Sequence, residues 1–220
     1  MMKRFLPFYL FAFLLFSCET DSYEKGEGKY SLMQADMGEL MINGEKQAVA
    51  FTTDDVDSYT LTSPVTSQWI QTADTTYRAI IYYNKVENSQ AEYVGVTTVP
   101  TMVPVEHWRF EKLIQEPVGF ESAWLAKSKK YINLGLLFKS GYVDDALGRH
   151  IISIAQDTVL VNADQTRTAY YRFLHSQDKT PEYFTNRHYV SILLPEESPD
   201  TVNLSVVTYT GTVERRFVLK

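Results

Sequence analysis

A chain of 220 residues with 45% hydrophobic residues can bury one large or two small cores, since domains most often run about 100–150 residues. Its formal net charge of −6 argues against nucleic acid and against anionic headgroups as partners, because both call for clustered Lys and Arg. With a single Cys the chain has no intrachain disulfide and no Cys-type zinc site.

Lys3 and Arg4 precede an apolar run from Phe5 to Phe16 that stops at Ser17-Cys18. A basic start, a short apolar stretch and a small residue at the end describe a signal peptide over residues 1–17. The run is shorter than the roughly 20 residues of a membrane-spanning helix. Leu15-Phe16-Ser17-Cys18 resembles a bacterial lipobox, in which the Cys is lipidated and becomes the new N-terminus. Cys18 is therefore the expected lipidation site. Residues 18–27 hold Glu19, Asp21, Glu24 and Glu27 among Ser, Thr and Gly and read as a solvated acidic tether. Cleavage removes two cations, so the lipid must supply the membrane affinity, and one acyl chain alone is marginal.

From Tyr30 the texture is that of β-structure: Tyr (15) and Phe (12) are abundant, and short runs alternate between turn residues. Strands are predicted at 30–35, 39–42 and 48–52, the last two joined by the hairpin dipeptide Asn43-Gly44. After the acidic loop at 54–58 come 59–62, a break at Ser63-Pro64, and 65–70 carrying Trp69. Tyr77–Asn84 reads as a strand covered on both faces, and 91–99 answers it. About five strands suggest an OB-like barrel over 28–112. Prolines at 104 and 117 bound a short helix or extended linker at the domain junction.

The second half predicts strands at 131–139, 150–155, 168–175, 188–194, 202–207 and 213–219, the last pair closing across Thr210-Gly211. Six or more antiparallel strands suggest a β-sandwich over 113–220. The fold class is thus all-β, an OB-like barrel followed by an antiparallel β-sandwich.

Chemistry is sparse. His107, His150, His175 and His188 show no metal-ligand spacing, and there is no GxSxG elbow, phosphate loop or dinucleotide fingerprint. No catalytic residue, metal or cofactor is expected. The carboxylate pairs Asp54-Asp55, Asp144-Asp145 and Glu196-Glu197 could serve glycoside hydrolysis if brought about 5–10 Å apart, although all fall in expected loops. Trp69, Tyr82, Tyr83 and Tyr93 are the candidate ligand-binding residues, because exposed aromatics stack on sugar rings. Equally, strand aromatics fill cores and pair across strands.

The strings YRAIIYYNKVE, QAEYVGVTTV, KKYINLGLLFKSG, HIISIAQDT, YRFLHSQDKTPEYF, HYVSILLPEE and DTVNLSVVTYTGTVERRFVLK, together with the lipobox and its acidic tether, resemble the NigD-like lipoproteins of Bacteroidetes. The resemblance implies an N-terminal OB-type barrel and a C-terminal β-sandwich, outer-membrane attachment, and surface export through the acidic tether. The long segment 54–76 departs from the family's pattern. The family name implies a bacteriocin-immunity role, but the family has no established activity. The expectation is a lipid-anchored, non-enzymatic envelope protein binding a protein or glycan partner; the alternatives are a surface glycan-active enzyme or a structural component of an outer-membrane complex.

Overall fold

The computed structural model describes residues 32–220; the expected signal peptide, lipidation site Cys18 and acidic tether lie outside the described residues. Strands β1 (Gln34–Ile42), β2 (Gln47–Thr53), β3 (Ser58–Thr66), β4 (Thr75–Val86) and β5 (Gln90–Thr98) close into a barrel in the order β1-β2-β3-β5-β4. Every pairing is antiparallel except the short β3/β5 contact, Thr60 with Gln90 and Leu61 with Ala91. That order and closure are those of an OB-type barrel. The β1–β2 turn forms as Asn43-Gly44 predicts: Asn43 Oδ1 accepts from the backbone N–H groups of Glu45 (3.0 Å) and Gln47 (2.9 Å). Alternate residues then point inward, and Leu40, Phe51, Leu61, Ile70, Ala79, Ile81, Tyr83 and Ala91 are among those that fill the barrel.

The sandwich is built from β6 (Thr101–Met102), β7 (Val105–Glu106), β8 (Gly119–Leu125), β9 (Tyr131–Ser140), β12 (Ile151–Val161), β13 (Arg167–Ser176), β14 (Phe184–Leu193), β15 (Thr201–Thr208) and β16 (Gly211–Val218), with β10 (Tyr142–Val143) and β11 (Ala146–Leu147) as a small separate hairpin. One sheet runs β16-β15-β13-β12-β7 and the other β6-β14-β9-β8. Ile132, Leu134, Leu136, Phe173, Ile192 and Leu204 are among the side chains sealed between them. The long hairpins are antiparallel, but β13/β15, β12/β7 and β14/β6 pair in parallel. For β13 and β15 the reason is the intervening return: β14 runs back in the opposite sheet, so its two neighbours in sequence share a direction.

Several local expectations shift. The run at 30–35, whose first two residues lie outside the described ones, joins 39–42 in β1 only from Gln34 on. The Ser63-Pro64 break falls inside β3, in a bulge between the pairings Ala48–Val65 and Ala50–Thr60, a position that tolerates Pro. Strand β3 ends at Thr66, so Trp69 sits in the turn region after it rather than in a strand. Strand β8 was not anticipated, because a register shift between Phe120 and Ser122 breaks its alternation. The segment between the prolines holds β7 and one 3-10 turn, His107–Arg109. Residues 101–106, placed with the barrel by the expected boundary, pair with sandwich strands. Among the described residues no helix is long and apolar enough to cross a membrane.

Candidate binding cleft

Along β4 the inward positions Ala79, Ile81 and Tyr83 belong to the barrel core, which leaves Arg78, Ile80 and Tyr82 on the outer face. That outer face, with Met37 and Glu39 of β1, meets β8, β9 and β14. At one end the join is polar. The side chains of Arg78 and Asp54 are 3% and 16% exposed, and the guanidinium donates Nη1 to Asp54 Oδ1 and Nη2 to Oδ2, both at 2.6 Å. Its Nε donates to Ser191 Oγ at 3.1 Å and Nη2 also reaches Asn133 Oδ1 at 3.0 Å. Asn133 Nδ2 donates to Asp54 Oδ2 at 2.7 Å and Ser191 Oγ to Asn133 Oδ1 at 2.8 Å. The guanidinium lies 4.1 Å over the Tyr131 ring.

Beside this clamp, Glu39 accepts from Lys130 Nζ and Tyr131 Oη, both at 2.6 Å. Burial pushes the Glu39 carboxyl up, but those two hydrogen bonds together with the positive charges of Lys130 and Arg78 hold it below its ordinary value. Burial and the Glu39 carboxylate push the Tyr131 phenol up.

Farther along, the join opens into a cleft of about 310 Å³ lined by Ala35, Met37, Ile80, Tyr82, Trp124 and Tyr189. Trp124 of β8 and Tyr189 of β14 meet edge to face, 6.2 Å between centroids. Gly135 of β9, paired with both Ser122 and Tyr189, leaves room for them. A Cβ there would lie 2.6 Å from Ser122 Oγ and 3.3 Å from the Tyr189 ring. Tyr82 is paired with Gly95 on the adjacent strand β5. The cleft lining is mostly apolar and aromatic surface, with the phenols of Tyr82 and Tyr189 as its titratable groups. The exposed ion pair Arg187–Glu121 (2.6 Å) spans the same strands.

The four aromatics singled out from the sequence do not form one platform. Tyr83 is 1% exposed, its ring against Phe51 and Tyr59 and its hydroxyl on Asp36 (2.8 Å) and Gln34 (3.2 Å). Burial and Asp36 push its phenol up, and it is a core residue that no ligand can stack upon. Trp69 packs edge to face on Tyr77, and both it and Tyr93 lean on the barrel core. Only Tyr82 lines the cleft. Trp124 and Tyr189 were missed: the strand of one was not recognised, and the other is a lone aromatic in an apolar run.

Of the loop carboxylates, Asp54 is consumed by Arg78 and Asn133. Asp55 makes an exposed 3.0 Å pair with Lys127, and Asp144 and Asp145 form the β10–β11 turn at φ 48° and 62°. Three histidines scattered in sequence do gather around Phe138. His175 Nδ1 faces the Glu116 carbonyl at 3.0 Å and so carries the proton. The neutral ring's Nε2 then accepts from His150 Nδ1–H at 2.9 Å, and His150 Nε2 accepts from Ser140 Oγ at 3.3 Å. Among the described residues no group of three His, Cys, Asp or Glu side chains is placed to hold a metal ion.

No protein-family model and no curated protein matches the sequence. Solved structures do. A NigD-like immunity protein from Bacteroides caccae matches with a TM-score of 0.63 at 19% identity, over 84% of this chain and 97% of that one. The fold is that of a NigD-like protein. A protein from Parabacteroides distasonis, provisionally described as toxin-related, matches with a TM-score of 0.64 at 14% identity over 84% and 92% of the two chains. One from Bacteroides fragilis, provisionally described as a lipoprotein, matches at 0.58 and 16% over 85% and 99%. At such identities the likeness is one of NigD-like architecture, the OB-like barrel followed by the sandwich.

Proposed function

We propose that this chain is a non-enzymatic protein, lipid-anchored at the outer membrane through Cys18, that binds a protein partner in the cleft between barrel and sandwich. The observation that carries the reading is the half-buried trio Tyr82, Trp124 and Tyr189, drawn from three strands onto a hollow with Met37 and Ile80. Aromatic residues and Met are enriched where protein interfaces concentrate their energy. Apart from two phenols and an indole N–H the lining is apolar, with no charged or amide side chain to pair with a sugar's hydroxyls, which favours a protein over a glycan here. The lipobox, and the lipoprotein description of the Bacteroides fragilis relative in fold, support the anchor. The immunity named for the Bacteroides caccae protein would be one instance of such binding.

The test is photo-crosslinking in the producing cell, with a benzoylphenylalanine at position 35 on the cleft wall, in wild-type, Tyr82→Ala and Cys18→Ser backgrounds. A discrete cross-linked species lost in Tyr82→Ala, and release of the Cys18→Ser chain from membranes, are expected. No cross-linked species at any lamp dose would overturn the binding role, and a Cys18→Ser chain that still sediments with membranes would overturn the anchor.

A further inference from the structure

A second hollow, chemically unlike the cleft, lies on the five-stranded sheet of the sandwich. It measures about 390 Å³ and is lined along β12, β13, β15 and β16, within the range of about 300–1,000 Å³ typical of ligand sites. The register defines its floor. Tyr170 pairs with Asn203 and Asn203 with Arg216, while Arg172 pairs with Ser205 and Ser205 with Glu214. Their strand neighbours Tyr171, Leu204 and Phe217 are in the core, so by alternation these six side chains share the outer face.

Asp157 joins them from a bulge in β12, at the register shift between Gln156 and Thr158. A bulge re-aims a side chain, and here it brings Asp157 against Arg172. Arg172 Nε and Nη2 both donate to Asp157 Oδ2, at 3.0 and 2.8 Å, while Nη1 reaches Gln115 Oε1 at 3.3 Å. The other carboxylate oxygen, Oδ1, is buried and has no hydrogen-bond partner. That oxygen is closed to the hollow, so the acceptor that the partly exposed Asp157 side chain offers a ligand is Oδ2. Arg172 thus holds a carboxylate in place at the edge of the hollow.

From this arrangement we infer that the hollow is a binding site for a neutral carbohydrate. The ligand must donate to Asp157 and Glu214 and accept from Arg216 and Asn203, which the paired hydroxyls of a pyranose do at once. Acids and bases balance across the floor, so a phosphate or sulfate group would meet Asp157 and Glu214 and a cation would meet Arg216. Tyr170, 36% exposed, supplies an aromatic face for the C–H side of the sugar ring. The site stands apart in composition from the cleft, whose lining carries no charged or amide side chain.

Saturation-transfer NMR on the soluble chain from residue 28 onward, with maltohexaose, laminarihexaose, mannohexaose and galactohexaose as probes, tests it. Transfer from at least one hexasaccharide is expected, weakened at least tenfold in Tyr170→Ala/Asn203→Ala and in Asp157→Asn, and unchanged in Trp124→Ala. Circular dichroism melting of each variant separates lost binding from lost folding, and Glu214→Gln, an exposed substitution, is a second probe that spares the Arg172 pair. Transfer from none of the four probes at millimolar concentration would overturn the proposal. So would transfer from dextran sulfate alone, or binding lost only in Trp124→Ala.

Discussion

Replacing Asp54 with Ala removes both acceptors of the Arg78 fork and one partner of Asn133, leaving a guanidinium that is 3% exposed without a counter-charge. Stranding one member of a buried pair costs about 3–5 kcal/mol, roughly a third to a half of a folding stability near 10 kcal/mol, mid-range for native proteins at about 5–15 kcal/mol. With a urea dependence of about 2 kcal/mol per molar, the unfolding midpoint should fall by about 1.5–2.5 M. Asp55 provides the control next door. Its pair with Lys127 has side chains 63% and 71% exposed, and exposed pairs are worth about 0–1 kcal/mol, so Asp55→Ala should move the midpoint by less than about 0.5 M. Replacing both partners, Asp54→Leu with Arg78→Met, should cost less than Asp54→Ala alone, because no unpaired charge remains and Ser191 still bonds Asn133. Urea titrations followed by tryptophan fluorescence read all three. Equal small losses for Asp54→Ala and Asp55→Ala would refute the reasoning, and so would a double variant worse than the single.

Two further outcomes are expected. The Tyr171 hydroxyl is buried in the sandwich without a partner, and burial pushes its phenol up to about 12. Tyr171→Phe should therefore stabilise by about 1 kcal/mol, raising the melting temperature by roughly 2–4 °C, and a loss of that size in calorimetry would contradict the assignment. His150 is held below its ordinary value by burial and by His175 and His188, against the pull of Glu116, and His175 by burial, against Glu116. The unfolded chain then binds protons first, so this contribution is intact above a pH of about 6.5 and is lost as pH falls below it. Melting temperature should drop between pH 7.5 and 5.5, before most carboxylates titrate, and drop less in His150→Gln. A wild-type curve flat across that window would refute it.

Much of the fold follows from local pattern. Alternation in TAYYRFLH and in the closing hairpin, turn chemistry at Asn43-Gly44, and the apolar middle of YRAIIYYN place strands close to where they occur, since side-chain period and turn residues act over a few positions. Bulges defeat the same logic. At Ser63-Pro64 and at Phe120–Ser122 an extra residue shifts the register, and the reader of a pattern sees a break, or no strand at all.

The sequence by itself determined the all-β class and the acidic balance and supplied the lipobox-like stretch that ends at Cys18, because each rests on composition or on a short contiguous stretch. Which aromatics can touch a ligand was decided only in three dimensions. Tyr82 and Tyr83 are neighbours in the chain, but the two-residue period sends one out to the cleft and the other into the barrel, where it fills the core. Arg78 and Asp54, Trp124 and Tyr189, and His150 and His175 acquire their roles from pairings between residues far apart along the chain. Those pairings exist only because the closed barrel and the two sheets bring distant strands side by side, and the cleft itself only because the barrel lays its β1–β4 face on one sheet of the sandwich.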